Sequence, residues 1–451
     1  MKINVLVAEI GSTTTVVNAF NGIGGPCPIF LGQGQSPTTV LNGDVTVGLK
    51  GAVENLRNNL KSDDIEYDEM LATSSAAGGL RMTVHGLVYD MTVRAAKEAA
   101  LGAGGIIKMV TAGKLRRTDL KKMQEINPNI ILVAGGVDYG ERETALHNFE
   151  AIAALRLNIP MIYAGNIENQ DEIKEIAEEF GVKLYLVDNV YPKVDMLNVE
   201  PTRKVIQDAF EEHIIHAPGM SKVRDMVSGP IIPTPGAVME AAKLLKNAIG
   251  DLVVFDVGGA TTDVHSVTQG SEEINRILIS PEPEAKRTVE GDLGVYVNLP
   301  HIVEKIGLEN LKKEFEDAEE LVGNAKPIPQ TDREKQFIER LTKEAVLTSM
   351  ERHAGNMRNF YGPSGKKTVA EGKDLTNVKY IIGTGGALTR LPNRLEILNY
   401  VSKYGKGMEL YPTANAKVLI DNAYIMASLG VLSKRYPEDA LQLMKISMEI
   451  D

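Results

Sequence analysis

Two stretches decide the fold: "EIGSTTTVV" at residues 9–17 and "DVGGATTDV" at residues 256–264. Laid over one another, Glu9 faces Asp256, Gly11 faces Gly258, Thr14 faces Thr261, Thr15 faces Thr262 and Val17 faces Val264. Ser12, Thr13 and Val16 stand against Gly259, Ala260 and Asp263. Each stretch follows an apolar run, Val5–Ala8 in the first and Leu252–Phe255 in the second. The pattern predicts a buried strand that ends in an acid, a glycine and small or hydroxylated residues. One such end is ordinary turn chemistry. Two of the same pattern in one chain point to a duplicated unit.

A tight turn of Gly and Ser/Thr aims backbone N–H groups and hydroxyls at one point, which makes an anion nest. Two facing turns would grip a polyphosphate from both sides. An acid at each strand end would hold Mg2+ through water, because magnesium keeps much of its hydration shell. The same carboxylates would orient a hydrolytic water. Glu9 and Asp256 are therefore the candidate catalytic and metal-holding residues. Gly11, Ser12, Thr13 and Thr14, with Gly258, Gly259, Ala260, Thr261 and Thr262, are the candidate phosphate cradle. A third element, "IIGTGGAL" at residues 381–388, places Gly383, Gly385, Gly386 and Ala387 after an apolar strand. Glycines there allow a flat ligand such as an adenine–ribose unit to approach the backbone, or serve packing alone.

Between the two halves the pattern changes. "IILVAGG", "IPMIYAGN" and "VKLYLVDN" predict short buried strands, separated by helices at 143–157 and 170–180. That alternation predicts a parallel α/β module. The proline-rich "SGPIIPTPG" (residues 228–236) marks its far boundary. Gly22 to Gly48 reads as a looser Gly/Pro stretch, and Thr92–Ala100 as an alanine-rich helix.

Composition narrows the classes. A chain of 451 residues is long for one core, so two or three domains are expected. A formal charge of −11 with no compensating basic block argues against nucleic acid as a partner. No run approaches the roughly 20 apolar residues of a membrane span, and Met1-Lys2 leads straight into a strand without the regions of a signal peptide. One cysteine, Cys27, leaves no internal disulfide or cysteine metal cage, so a cytoplasmic location is expected. "YGPSGKKT" (361–368) lacks the first glycine and the Ser/Thr after the lysine of a P-loop. "DVHSVT" (263–268) starts like a cobalamin-binding motif but has Thr268 where that motif has glycine, which argues against cobalamin binding by the chain itself. "EEHIIH" (211–216) reads as a polar helix end, and "SSAAGGLRM" (74–82) as a tight turn or a ligand contact through Arg81.

In their order, "EIGSTTT", "DVGGATTD" and "IIGTGGAL" resemble the first phosphate, second phosphate and adenosine motifs of the actin, sugar kinase and Hsp70-type ATPase superfamily. More closely, "TSSAAGGLRMTVHGL" (73–87) and "LVVFDVGGATTDVHSV" (252–267) resemble the MutL-type accessory proteins encoded beside adenosylcobalamin-dependent glutamate mutase, over the full length. The resemblance implies duplicated actin-like (ribonuclease-H-like) α/β domains around a nucleotide cleft. Residues 1–124, completed by helices near 421–451, would form the first, 125–230 an inserted parallel α/β module and 231–420 the second. It also implies ATP and Mg2+ as ligands, Gly385 and Gly386 against the adenosine, and Asp256 beside the metal and attacking water. Helices at Ala237–Leu245 and Ala423–Leu432 would be the connecting helices at the hinge, with small residues allowing close crossing. "VEGDLGV" (289–295) would bring another acid to the nucleotide. The expected function is an ATP-binding, slowly hydrolysing, chaperone-like reactivating factor for a cobalamin-dependent mutase; the alternative is a small-molecule kinase. The superfamily carries aspartate where this chain has Glu9. One more methylene displaces that carboxylate by about 1.5 Å, which makes slow hydrolysis the expectation.

Overall fold

The computed structural model describes residues 1–39, 43–75, 80–214, 218–362, 365–405 and 407–450, the side chains of His213 and Gly362 aside. The chain opens with β1 (Lys2–Ile10), β2 (Thr14–Asn21) and β3 (Ile29–Pro37), an antiparallel meander, and the helix Val45–Asn59 then leads to β4 (Glu66–Ser74). A parallel unit follows, with β5 (Leu80–Gly86), β6 (Gly105–Ala112), β7 (Ile130–Val133), β8 (Met161–Tyr163) and β9 (Leu184–Leu186). β10 (Ile231–Pro233) returns to the first sheet, whose order is β10-β4-β1-β2-β3. The second half repeats this with β11 (Leu252–Val257), β12 (Thr262–Val267) and β13 (Ala285–Glu290). A hairpin, β14 (Asn356–Gly362) and β15 (Gly365–Glu371), precedes β16 (Tyr380–Thr384) and β17 (Lys417–Ile420).

The second sheet runs β17-β16-β11-β12-β13. It has the same sequence of parallel and antiparallel pairs as the first. The duplication therefore extends from two turns to two whole sheets. β1 and β11 are the central strands, buried along nearly their entire length, which is why their sequences are apolar runs rather than alternations. The fold is the duplicated actin-like α/β arrangement with an inserted parallel α/β module.

The parallel sheet has the order β6-β5-β7-β8-β9, with every pairing parallel. It begins at Leu80, so the boundary expected at 125 is too late. β5 is an interior strand of this sheet and not of the first, because Met82–His85 pair in register with Ile130–Val133. The far boundary also shifts. The proline-rich segment is itself a strand, β10, at the edge of the first sheet, where a residue without an N–H is tolerated. Strand β3 lies inside the stretch that reads as a loose Gly/Pro segment. Gly34 is there because the helix Val45–Asn59 packs directly on the strand; a Cβ would run into the Ala52 carbonyl and the Leu56 backbone.

Two helices leave equivalent strand ends, Thr234–Ile249 after β10 and Met426–Leu432 after β17. They cross at Gly430, where a Cβ would collide with the Ala237 carbonyl. The small residues thus do set a close crossing. Around it, Val5, Val7 and Phe20 of the first sheet share one apolar cluster with Leu252 and Val254 of the second.

Candidate functional site

Both turns have the geometry that the sequence implies, and they have it twice. Gly11 N–H donates to the Thr14 carbonyl at 3.0 Å, and Gly258 N–H donates to the Thr261 carbonyl at 2.9 Å. A Cβ at Gly11 would sit 2.5 Å from that carbonyl, which explains the glycine. Each turn is held from behind by a different segment. Thr38 donates its hydroxyl to the Gly11 carbonyl at 2.9 Å and its N–H to the Thr13 carbonyl. On the other side Val295 and Tyr296 donate to Gly258 and Gly259, and the Asn298 amide donates to the Ala260 carbonyl at 2.7 Å.

These turns face one cavity of about 400 Å3, within the usual range for a small-molecule site. It is lined by Glu9 and Gly11–Thr14 from the first half, and by Asp256, Gly258–Thr261 and Gly386 from the second. Thr262, Gly383, Gly385 and Ala387 do not line it. The Thr262 hydroxyl donates to the Leu293 carbonyl at 2.7 Å, which fixes the base of the turn. Gly383 is a packing position, because its Cβ would strike the Leu398 side chain. Gly385, at φ +82°, makes room for the Asp256 carboxylate and the Val257 backbone. Ala387 is buried in the second-half core. The acid expected from "VEGDLGV" turns away: Asp292 and Glu290 both pair with Arg352, at 2.7 and 2.6 Å.

Arg81 sits on β5 with its backbone bonded to Asn129 and does not line the cavity. Ala76–Gly79 of that loop and Ile215–His216 of "EEHIIH" lie outside the described residues. So do Pro363 and Ser364 of "YGPSGKKT", whose flanks pair as the β14–β15 hairpin and not as a phosphate loop. Cys27 is an exposed free thiol.

The electrostatics of the two strand ends are unusual. Glu9 is 8% exposed, and its Oε2 has no hydrogen-bond partner. Burial, with the Asp256 and Asp421 carboxylates nearby, pushes its carboxyl up to about 8. Asp256 is raised to about 7, mainly by burial and the Asp263 charge. Two carboxyls that resist ionisation beside an unsatisfied oxygen call for a cation, so the residues present fit a magnesium ion. Among the described residues no group of three or more His, Cys, Asp or Glu is placed to hold a metal ion.

Sequence reasoning missed several cavity residues. Asp263 lies opposite Asp256 in the β11–β12 register, where the first half has Val16 opposite Glu9. It accepts from Arg287 at 2.6 and 2.8 Å and from the Thr261 hydroxyl at 3.1 Å. Arg287, 1% exposed, also donates to the Leu101 and Gly105 carbonyls, at 3.0 and 3.2 Å. It thereby ties β13 to the start of β6. Asp421, behind the cavity wall rather than on it, accepts from the Thr384 hydroxyl and from the N–H groups of Ile425 and Met426, anchoring the second connecting helix. Arg390 donates to Gln35 and Gln33 across the cavity, at 3.1 and 3.3 Å, and lies 5.8 Å from the Tyr424 ring. The Val16/Asp263 difference was visible in the aligned repeat; the other residues come from segments without a motif.

Glu9→Gln has an expected effect on stability with a definite sign. The unfolded chain loses this proton near pH 4.5, whereas the folded chain holds it to about pH 8. Between those values the folded state binds more protons, so stability falls as pH rises. Gln removes that fall. At about 1.4 kcal/mol per pK unit, discounted for the amide's own hydrogen-bond needs, the ligand-free variant gains about 2 kcal/mol at pH 7.5 and nothing at pH 4.5. Urea denaturation at both pH values measures it, and an equal effect at both would contradict the assignment.

A family described as MutL protein matches residues 5–448. The chain belongs to the MutL family. It is 38% identical to Protein MutL of Clostridium tetanomorphum, covering 98% of each chain. Among solved structures it aligns with a glycerol dehydratase reactivase at TM-score 0.32 and 12% identity, over 95% of this chain and 99% of that one. A diol dehydratase-reactivating factor in nucleotide-free form aligns at TM-score 0.35 and 12% identity, over 97% and 100%. Those structural scores are too low to assign a shared function. Membership of the family supports an accessory role. Among the described residues no helix is long and apolar enough to cross a membrane.

Proposed function

We propose that this MutL-family protein binds Mg–ATP in the cavity between its two sheets and hydrolyses it slowly. We further propose that it uses the associated motion to reactivate an adenosylcobalamin-dependent mutase of the glutamate mutase type. The observation that carries the nucleotide reading is the pair of equivalent turns, each with an acid at its strand end, facing one cavity. Gly11–Thr14 and Gly258–Thr261 would take the phosphates, and Glu9 and Asp256 would hold the magnesium through water. Bound magnesium would supply charge neutralisation at the phosphates. Gly386 and Arg390 would face the nucleoside. Thr234 and Tyr424 also line the cavity, where the connecting helices begin, so a ligand there touches the hinge directly.

The kinase alternative needs a carboxylate free to accept a proton from a substrate hydroxyl. The third acid on the cavity, Asp263, is instead committed to Arg287 and Thr261. The mutase assignment rests on family membership, and one assay tests it. Inactivated glutamate mutase, incubated with the protein, Mg–ATP and fresh adenosylcobalamin, is expected to regain activity; omitting ATP is expected to abolish the recovery. No recovery, or ATP-dependent phosphorylation of a metabolite in its place, overturns the proposal.

A further inference from the structure

Strand β6 ends in a concentration of positive charge that the nucleotide site does not use. Lys108, Lys114, Arg116, Arg117, Lys121 and Lys122 fall within fifteen residues, against one acid, Asp119, in a chain of net charge −11. All six are exposed. They lie on β6, on the loop after it and on the first turns of the helix Arg117–Ile126. Among the described residues none of them forms an ion pair, although surface cations elsewhere, such as Lys174, Lys312 and Arg333, pair with acids. Lys108 is the extra residue where β6 slips against β5, between the pairs Met82–Ile107 and Thr83–Met109. A lysine on a bulge blocks strand addition at this sheet edge. The surface is therefore suited to side-chain electrostatics and not to β-pairing.

We propose that this basic surface docks an acidic face of the protein client. The assignment of that client rests on the reading above, but the surface itself does not. Several features select a folded acidic protein over other polyanions. No aromatic side chain lies between Gly105 and Ile126 to stack on bases. Within that segment no large apolar side chain is exposed to enter a bilayer, and the exposed Val88 and Tyr89 beside β6 make too small an apolar face to insert. The placement connects the surface to the nucleotide cavity. Gly104 and Ile106, at the other end of β6, line that cavity, and the Gly105 carbonyl accepts from Arg287. Client docking and nucleotide binding thus act on the two ends of one strand.

The test compares the native chain with two double variants, Lys114→Glu/Arg117→Glu and Arg116→Glu/Lys121→Glu. The probes are a fluorescent polyglutamate of about 20 residues and glutamate mutase. The native chain is expected to bind both, with affinity falling at least about tenfold between low and moderate salt. Each variant is expected to lose at least about tenfold in affinity and most of the salt dependence, with client-free ATP turnover unchanged. Equal binding by variants and native chain overturns the proposal. So does stronger binding of a single-stranded oligonucleotide than of polyglutamate, or dissociation of a homodimer by the substitutions. Polyglutamate binding that the variants lose, without any mutase binding, supports the surface and overturns the mutase assignment instead.

Discussion

Asp256→Asn is expected to lower ATP turnover at least about 100-fold while changing nucleotide affinity by no more than about threefold. The amide keeps the shape of the carboxylate, so the glycine-lined space beside it, created by Gly385, stays filled. What is lost is a negative charge at the end of β11. In a water-poor site such a charge carries far more weight than in bulk solvent, and removing one preorganised electrostatic group typically costs a factor of 10² to 10³ in rate. Affinity depends less on it, because most phosphate contacts would come from the two turns, whose backbone geometry does not involve this side chain. Calorimetry with Mg–ATP and single-turnover hydrolysis separate the two effects. Unchanged turnover would remove Asp256 from the mechanism. The same substitution is expected to stabilise the ligand-free protein above pH 7, with the same sign as Glu9→Gln, because burial and neighbouring acids raise Asp256 too.

Arg287→Ala is expected to be the most destabilising single substitution at the cavity, by about 3–5 kcal/mol, the usual cost of breaking a buried ion pair from one side. The guanidinium is 1% exposed and serves three acceptors: Asp263 and the carbonyls of Leu101 and Gly105. Its removal leaves Asp263, 5% exposed, with only the Thr261 hydroxyl. It also removes the ties from β13 to the Leu101 and Gly105 carbonyls. The neighbouring contacts would not replace it. Arg203 bonds the Ala285 and Glu98 carbonyls, and Lys286 pairs with Glu282. These flank the same interface but do not reach Asp263. A double-mutant cycle with Asp263→Ala tests the account by urea denaturation. The double variant is expected to be more stable than the sum of the singles, since it leaves no orphaned charge. A loss below about 1 kcal/mol for Arg287→Ala would contradict the buried-pair argument.

Much of the cavity was legible from residues close in sequence. The Gly11–Thr14 and Gly258–Thr261 turns each close over four residues, and the apolar runs before them report central strands directly. The crossing of the connecting helices was also legible, because Ala237 and Gly430 are small for a reason that sequence displays. The parallel sheet was half legible. β7, β8 and β9 alternate with regular helices, but β5 precedes a helix that packs against β13 and reads locally like part of the first half. β3 was hidden because its glycines serve a helix on its surface, and glycine in sequence looks like a loop.

By itself, the sequence determined the duplicated strand ends, their acids and the Gly–Thr turns that follow them, since each is a matter of hydrogen bonds and burial within a few residues. Tertiary structure decided which of the predicted residues share the cavity. It turned Thr262, Gly383 and Gly385 into supports and brought in Asp263, Arg287, Arg390 and Tyr424. Those four were placed by pairings between separate segments: Asp263 with Arg287, Arg287 with the Gly105 carbonyl, and Arg390 with Gln35 and the Tyr424 ring. A buried charge takes its partner from whatever the fold brings near, and no local pattern encodes that choice.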